Sequence, residues 1–277
     1  MKFWRRADLV IAFDKLRLLE VQRTVYLCDW LPPDFGAVGQ YSVHFARERA
    51  AAGQDVILAG LSSTQHSIER HRVGPGRLTI IRLRAKTYDR SNHARRLFWT
   101  LQTNVALLWH LRRAIYRADE IVFTGSPPFL LHFLAPLNGL LRKRLVYRIT
   151  DFHPECLMAE LDRVPLWLQV FYELTVAWRR KVHQFEVLGE DQRRRLKEIG
   201  IASERISLKR DLSPVEIPEG LQPLPTPGEL SGHSLLLYSG NFGVAHDHET
   251  FLEGYRRHHT IGSGRVGRWL NAAGGKG

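Results

Sequence analysis

The fold of this chain is decided by residues 25–60, which read VYLCDWLPPDFGAVGQYSVHFARERAAAGQDVILAG. An apolar run of strand length leads into a proline-containing loop. A helical segment follows and ends at the small residues 50–53, before a second apolar run. Strand, helix and strand in this order, with Gly36 and Gly39 where the helix begins, are typical of a parallel βαβ unit. The stretch therefore predicts an α/β fold.

The same alternation of short apolar runs and helical segments continues to residue 208. Right-handed crossovers would arrange these segments as a doubly wound, Rossmann-like parallel sheet. The predicted strands are Thr24–Cys28, Asp55–Ala59, Leu78–Leu83, Glu120–Phe123, Leu145–Ile149, Gln184–Leu188 and Arg205–Leu208. The predicted helices are Tyr41–Ala52, Arg95–Arg117, Leu130–Arg142, Leu166–Lys181 and Asp191–Ile199.

A segment rich in proline and glycine then interrupts the pattern and indicates an interdomain linker. After it we predict one further strand–turn–helix–strand unit, formed by His233–Tyr238, Ser239–Val244, Asp247–His259 and Arg265–Leu270. That unit is too small to be a complete parallel domain. The expected divisions are an N-terminal extension at 1–22, a Rossmann-like domain at 23–212, the linker at 213–232 and a partial second Rossmann-like domain at 233–277.

Net charge narrows the range of partners. The chain of 277 residues carries 40 Lys plus Arg against 28 Asp plus Glu, a formal net charge of +12, and most of the basic residues are Arg. Guanidinium groups bind phosphate in a bidentate manner, which favours nucleotides, anionic lipid headgroups or nucleic acid. A general bias of composition toward Arg explains the excess equally well. No nucleic-acid recognition motif accompanies the charge, so nucleic-acid binding is not expected.

Cysteine content and hydropathy indicate the compartment. Cys28 and Cys156 lie far apart, without the spacing of a metal site or redox motif, as is typical of a reducing compartment. No stretch reaches the roughly 18 apolar residues of a membrane span. We therefore expect a cytoplasmic protein.

Three basic clusters near predicted helix ends leave two interpretations open. One is a solvated surface, because cations near helix C-termini are favourable without a ligand. The other, in combination with nearby aromatic residues, is peripheral contact with the anionic inner face of the cell membrane. The clusters are Arg142–Arg144, Arg179–Lys181 and Arg193–Arg195, and the aromatic residues are Trp167, Phe171, Tyr172 and Trp178.

Ionisable side chains follow a central predicted strand. Asp151, His153 and Glu155 come after the strand Leu145–Ile149, at the edge where open α/β sheets bind their ligands. A structural interpretation stands beside this one, because an Asp at a strand end often caps the next helix. The glycines at the start of the first helix also allow two interpretations. They let backbone N–H groups approach an anion or a sugar hydroxyl, or they serve a turn with unusual backbone angles.

Five segments, taken in order, resemble the GT-B glycosyltransferases, specifically the retaining family-four group, which uses nucleotide-sugars and often lipid-linked acceptors. The segments are PPDFGAVGQY at 32–41, TGSPPF at 124–129, DFHPE at 151–155, VLGEDQRRRLKEIGIASERISL at 187–208 and YSGNFGVAHD at 238–247. The resemblance covers the chain from Val25 to Leu270 and rests on the order and spacing of these segments.

The resemblance implies that the first domain binds the acceptor and the second binds the nucleotide-sugar. Catalytic candidates are Asp151 and His153; family members carry a single histidine at this point, so both stay open. The residues implied near the donor phosphates and the acceptor are Gly36, Gly39 and Gln40. Those implied in the glycine turn that faces the diphosphate are Gly240, Asn241 and Gly243. The nucleotide-sugar is a substrate, and no cofactor or metal is expected.

The implied function is transfer of a sugar from a nucleotide-sugar to a glycan or lipid-linked acceptor in polysaccharide biosynthesis. Family members supply further cations and a carboxylate pair later in their second domain, and residues 233–277 hold no counterpart. We therefore expect a truncated enzyme that is weakly active or inactive by itself. One alternative is a non-catalytic module that holds an acceptor or a membrane for a partner bearing the donor domain. Another is an unrelated Rossmann-like protein whose glycine turn is purely structural.

Overall fold

A computed structural model of the protein describes residues 22–34, 36–86, 93–159, 161–211, 218–222, 225, 228 and 248–261. The chain divides into two compact units, Met1–Glu216 and Ile217–Gly277. The first unit holds an eight-stranded sheet with its helices. In the described part of the second unit, one helix is present.

The elements follow the predicted alternation. In chain order they are β1 (Arg23–Trp30), α1 (Ala37–Ala51), β2 (Asp55–Ser62), β3 (Ser67–Val73), β4 (Gly76–Arg84), α2 (His93–Arg117), β5 (Glu120–Thr124), α3 (Leu130–Leu141), β6 (Arg144–Ile149), α4 (Glu155–Ala159), α5 (Leu166–Arg180), β7 (Gln184–Val187), α6 (Glu190–Glu198), β8 (Ile206–Leu208) and α7 (His248–Ile261). A 3₁₀ turn at Ser203–Arg205 precedes β8. The predicted α/β class is confirmed.

The sheet has the strand order β3-β4-β2-β1-β5-β6-β7-β8, and every pair is parallel except β3 with β4. From β1 the chain proceeds outward to β2 and β4. It then returns to the other side of β1 and continues through β5 to β8. The direction of winding therefore reverses between β1 and β5. In doubly wound sheets this switch point opens a crevice outside the carboxyl ends of the strands, and that crevice is the usual ligand site.

Alternate side chains of β1 enter two separate cores. Val25 and Leu27 belong to a core that includes buried residues of α2, α3 and α6, whereas Tyr26 and Cys28 share a core with Phe45 of α1. A strand covered on both faces contains few polar residues, which is why this segment is apolar almost throughout. The two layers fix the end of β1 between helices on both sides.

One strand was not predicted. β3, with the sequence SIERHRV, lies at the edge of the sheet and pairs antiparallel with β4, which follows it after a turn at Gly74 with φ +55°. Its side chains are largely exposed, so it lacks the apolar pattern by which the buried strands are recognised. The exposed edge of the sheet is thus formed by a polar strand, as is common for natural edges.

Some of the arginines form ion pairs in the interior of the first unit. Arg148, which is fully buried, pairs with Glu186 at 3.1 Å and also with Asp211, and its guanidinium stacks 3.9 Å from the centroid of the Phe45 ring. Arg49 likewise binds Glu120. Buried charges require such partners because desolvation of an unpaired ion is costly. These arginines are therefore committed to the fold and are not free for phosphate.

In the second unit, α7 matches the predicted helix Asp247–His259 with boundaries one or two residues later. The predicted strands His233–Tyr238 and Arg265–Leu270 lie outside the described residues. So does the predicted turn Ser239–Val244.

Candidate active site

The carboxyl ends of β1, β5 and β6 lie side by side and form the candidate site, which we call the crevice. β1 pairs with β5, and β5 pairs with β6, so the turns that follow these strands are neighbours in space. A Cβ placed on Gly125, after β5, would lie 3.7 Å from the Thr150 hydroxyl and from the Asp151 carbonyl, after β6. The two polar turns that the sequence places far apart are thus in contact.

The crevice also holds a carboxylate, Asp29, that no sequence motif had indicated. Asp29, near the end of β1, accepts a hydrogen bond of 2.5 Å from the Ser126 hydroxyl on Oδ2. Its other oxygen, Oδ1, is buried and has no hydrogen-bond partner within the described part of the chain. Burial raises the pKa of Asp29, while the Ser126 hydroxyl and the backbone amides of Asp29 and Trp30 partly offset that effect. Asp29 is therefore a poorly solvated carboxylate with spare capacity to accept a proton or a hydrogen bond.

Local hydrogen bonds hold Ser126 in position. The Thr124 hydroxyl donates to the Ser126 carbonyl at 2.6 Å, and the Ser126 amide approaches the same hydroxyl at 3.3 Å. On the far side of the turn, Asn104 of α2 is buried and donates to the Pro128 carbonyl at 2.8 Å. Hydrogen bonds thus hold both ends of the turn that places Ser126 next to Asp29.

The two predicted catalytic residues lie in different surroundings. Asp151 is exposed at the end of β6 and faces solvent at the crevice. His153 is half-buried and lines a small cavity with His132, Thr175 and Tyr147. The structure thus places Asp151 in the open part of the site and His153 behind it.

Glu155, the third ionisable residue of this turn, has a structural partner. Arg179 of α5 is fully buried and donates hydrogen bonds to both carboxylate oxygens of Glu155. It also donates to the His153 carbonyl at 2.9 Å. Its guanidinium lies 4.9 Å from the centroid of the Phe152 ring. Arg179 therefore fixes the path of residues 152–155 and with it the position of Asp151.

The predicted glycines at the start of α1 differ from each other. A Cβ on Gly39 would overlap the Trp30 carbonyl oxygen, so this residue must be glycine for α1 to approach the end of β1. A Cβ on Gly36 would only make ordinary contact, at 3.6 Å, with the same oxygen. Gly36 is the N-cap residue of α1 with extended backbone, and Gln40 is half-buried in the first turn of the helix. The structure thus accounts for Gly39 by packing but not for Gly36.

The predicted donor-side residues Gly240, Asn241 and Gly243 lie outside the described residues. Within the part of the chain that the structure does describe, no group of three or more His, Cys, Asp or Glu side chains is placed to hold a metal ion.

An apolar groove of about 490 Å³ adjoins the crevice. Phe129, directly after the Ser126–Pro128 turn, forms one end of it. Helices α2, α3 and α5 supply the rest of the lining, which is Leu97, Leu101, His132, Phe133, Trp167, Val170, Phe171 and Leu174. The Trp167 side chain is 63% exposed, and Val170 and Leu97 are also exposed. The groove therefore leaves a substantial apolar area in water.

His132 is the polar residue in this lining. Its Nε2 lies 3.0 Å from the Thr175 hydroxyl, and its ring stacks on Phe171 with a centroid distance of 4.6 Å. Burial lowers the pKa of His132 to about 4. The ring is therefore neutral at physiological pH, and the groove carries no cation there.

The predicted basic clusters do not consist of exposed residues alone. In the cluster Arg179–Lys181, Arg179 is buried and paired with Glu155, as described above. Among the aromatic residues predicted beside the clusters, Tyr172 and Trp178 pack against the core, and Trp167 and Phe171 line the groove. None of the described helices combines the length and apolar character needed to cross a membrane.

No protein-family profile matches the chain, and no curated protein matches it in sequence. Solved structures with a similar fold include HepE from Anabaena in complex with UDP and glucose, at 10% identity, a TM-score of 0.40, and coverage of 69% of this chain and 44% of that chain. The calicheamicin glycosyltransferase CalG4 has 12% identity, a TM-score of 0.47, and coverage of 74% and 56%. An alpha,alpha-trehalose-phosphate synthase (UDP-forming) from Burkholderia vietnamiensis has 12% identity, a TM-score of 0.39, and coverage of 64% and 42%. The chain thus spans about half the length of these proteins.

Proposed function

We propose that this chain acts in a glycosyltransferase reaction, moving a sugar from a nucleotide-sugar to a glycan or lipid-linked acceptor. The observation that carries the proposal is the crevice at the switch point, where the turns after β1, β5 and β6 bring Asp29, Ser126, Thr150 and Asp151 to one edge. Carboxylates and hydroxyls in such a crevice suit a ligand that carries many hydroxyl groups.

The start of α1 is suited to the phosphates of the donor. Backbone N–H groups in the first turn of a helix favour an anion, and Gly36 leaves room for a close approach. In the proposal, Gly36, Gly39 and Gln40 form this side of the site, and Asp151 or His153 lies nearest the transferred sugar. Gly240, Asn241 and Gly243 would contact the diphosphate, whose developing charge in the transition state needs such donors.

The groove favours a lipid-linked acceptor over a free glycan. It begins at Phe129, next to the turn that carries Ser126, so an acceptor bound in the crevice could extend its apolar part along α3 and α5. Such an acceptor would place the reaction at the cytoplasmic face of a membrane, in polysaccharide biosynthesis. Burial of apolar surface in the groove would contribute about 25 cal/mol per Å² to binding.

The proposal is tested with the purified chain and a panel of UDP-, GDP- and dTDP-sugars, with a bacterial lipid extract as acceptor. Release of the nucleoside diphosphate and sugar incorporation into lipid are measured together. We expect one donor to support both, at the low rate expected of this chain by itself, and Asp151→Asn to lower that rate at least tenfold. Asp162→Asn, which changes an exposed carboxylate in the loop before α5, is the matched control and should be neutral. Absence of release and incorporation with every donor would overturn the proposal.

A second candidate function is a non-catalytic module that binds an acceptor or membrane for a partner that supplies the donor domain. The apolar groove favours it, because the groove is formed within the first unit alone. The same assay separates the two functions. Lipid binding without sugar transfer by this chain, but with transfer once a partner protein is added, would support the module.

A further inference from the structure

We propose that the protein forms a dimer in which α2 of one copy packs antiparallel against α2 of a second copy. The inference goes beyond the proposed function and does not depend on it. It rests on the exposed side of α2, where the side chains are spaced as in a helix of a coiled coil.

Helix α2 has apolar residues on two opposite sides. One side packs into the core of the first unit through buried residues that include Leu107 and Leu111. The opposite side faces water and carries four large apolar side chains that are 55–70% exposed: Phe98, Val105, Trp109 and Tyr116. A surface helix ordinarily has a single apolar stripe, which faces the core. A partner that covers the second stripe would therefore stabilise α2 by removing this surface from water.

The exposed side follows a coiled-coil repeat. From Arg95 to Asp119 its residues are separated alternately by three and four positions, the spacing at which one helix packs along another. We call this set the seam, and in order its members are Arg95, Phe98, Gln102, Val105, Trp109, Arg112, Tyr116 and Asp119. All of them are exposed, and Asp119 lies two residues beyond the last residue of the helix. At 1.5 Å per residue the seam is about 35 Å long.

The seam is symmetric about residue 107, so it is complementary to itself. When two copies of α2 lie antiparallel about this point, Phe98 meets Tyr116 of the second copy. Val105 meets Trp109 in the same way. A symmetric dimer requires this property, because the same patch of surface serves both subunits. A second copy of this chain therefore fits the seam along its whole length.

The polar members of the seam favour the same alignment. Arg95 meets Asp119 of the second copy, so an ion pair of opposite charges forms at each end of the interface. Gln102 meets Arg112, and the amide oxygen can accept a hydrogen bond from the guanidinium. In a parallel alignment Arg112 would instead face Arg112, and Asp119 would face Asp119, and like charges repel. Charge complementarity therefore selects the antiparallel dimer.

The charge pattern favours a second copy over an anionic membrane. Helices that lie on such membranes carry Lys and Arg along their length. Residues 97–111 of α2 contain neither Lys nor Arg. The arginines of the seam stand instead near its two ends and in one internal pair, where the second copy supplies Asp119 and Gln102.

Trp109, at the centre of the seam, is already held in place. The Arg112 guanidinium lies 4.5 Å from the centroid of the Trp109 ring and donates to the Trp109 carbonyl at 2.7 Å. A side chain that is ordered before association loses less conformational entropy when the interface forms. The arrangement therefore lowers the entropic cost of dimerisation.

The area of the seam suits a reversible dimer. A covered aromatic side chain buries roughly 150–250 Å², so the three aromatic members and Val105 offer roughly 500 Å² of apolar surface in each copy. The polar members of the seam add to this area. Stable interfaces cover about 800 Å² on each partner, and weaker ones cover less. We therefore expect association in the micromolar range.

Sedimentation equilibrium of the full chain over a range of concentrations tests the proposal. We expect the mass to rise from 31.9 kDa toward twice that value. Val105→Ser/Trp109→Ser should weaken association at least tenfold, because it removes the central apolar contacts. Leu140→Ser, which changes an exposed leucine of α3 outside the seam, is the matched control and should associate like the wild type. Circular dichroism checks that each variant is folded.

A mixing experiment tests the antiparallel alignment. Arg95→Asp and Asp119→Arg each place like charges opposite each other in a homodimer, so each variant should associate more weakly than the wild type. In the mixed dimer both contacts again join opposite charges, so an equimolar mixture should recover association. Damage to the fold by either substitution would not be repaired by mixing.

The outcomes decide between the possible partners of the seam. A chain that stays monomeric at its highest soluble concentration overturns the proposal, as does a Val105→Ser/Trp109→Ser variant that associates like the wild type. Variants that fail to recover on mixing overturn the antiparallel alignment. A monomer that sediments with phosphatidylglycerol vesicles, and loses this binding in Val105→Ser/Trp109→Ser, would assign the seam to a lipid surface instead. None of these results bears on the sugar-transfer assay, which tests the proposed function separately.

Discussion

Gly36 and Gly39 offer a matched pair of variants within one turn. Gly39→Ala would force a methyl group into the Trp30 carbonyl oxygen, so α1 must move away from β1. We expect a loss of about 3 kcal/mol or more in the free energy of unfolding, measured by urea denaturation. Gly36→Ala makes only ordinary contacts and should change stability by less than about 1 kcal/mol.

The same pair tests the role of the turn in binding. If Gly36 serves the donor phosphates, Gly36→Ala should weaken binding of a nucleotide-sugar, measured by calorimetry, while the protein stays folded. Equal stability of the two variants would contradict the close packing of α1 on the end of β1. An unchanged affinity of Gly36→Ala for the nucleotide-sugar would instead contradict a role of Gly36 in binding the donor phosphates.

Asp29 should reduce the stability of the fold at neutral pH. Its pKa is raised by burial, so the folded protein holds a proton there that the unfolded chain releases. Stability from this group is therefore lost as pH rises above about 3.9, the ordinary Asp pKa, and through the raised pKa of the folded state. Asp29→Asn removes this loss.

We therefore expect the Asp29→Asn variant to melt at a higher temperature than the wild type at pH 8. The difference should shrink toward zero at pH 3. A difference that does not change with pH would show that the carboxylate is not desolvated in the folded protein. The exposed Asp162→Asn variant serves as the control and should show no such trend.

At the scale of elements, Arg179 of α5 joins this helix to the turn after β6, chiefly through its ion pair with Glu155. Arg179 is buried, so Arg179→Met leaves Glu155 and the His153 carbonyl without their donor. Breaking a buried pair by removal of one partner typically costs 3–5 kcal/mol. We expect a loss of about that size in the free energy of unfolding.

Two further variants make this prediction specific. Glu155→Gln in the Arg179→Met background should recover part of the loss, because it removes the unpaired buried charge. Lys181→Met, at an exposed position just beyond the same helix, should have little effect. A loss in Lys181→Met as large as that in Arg179→Met would point to the helix end and not to the ion pair.

At the scale of the whole molecule, the apolar groove and the charge of +12 together favour contact with an anionic membrane. Binding to phosphatidylglycerol vesicles, measured by co-sedimentation, should weaken about tenfold in Trp167→Ser/Val170→Ser, because the variant exposes less apolar surface. Leu140→Ser is the control: this side chain is 84% exposed but is not part of the groove.

Salt separates the two contributions to this binding. Ionic strength of about 1 M shortens the Debye length to about 3 Å, so it should remove the electrostatic part and leave the apolar part. Equal binding by the groove variant and the wild type at high salt would show that the groove does not contact the membrane.

The sequence by itself determined the type and order of the elements in the first unit. Apolar runs flanked by helical periodicity mark β1, β2, β4 and β5 to β8, because strands covered on both faces must be apolar and helices on a sheet must be amphipathic. The polar edge strand β3 escaped this reasoning, since an exposed strand has no such requirement. The carboxyl edge of the sheet was equally predictable as the place for a ligand, which is why Asp151 was selected. The same rule applied to β1 would have pointed to Asp29.

Only the tertiary structure decided which side chains meet at that edge. Asp29 and Ser126 are 97 residues apart in the chain and come together because β1 pairs with β5. Asp151 and His153 are two residues apart in the chain, yet Asp151 faces solvent and His153 lines a cavity. Arg179 holds this turn in place, because it binds both the His153 carbonyl and the Glu155 carboxylate. Local patterns report whether a residue is buried, whereas pairings of this kind depend on strand order and on long-range packing. The partners of each polar group, and with them its pKa and its chemistry, are therefore set by the assembled sheet.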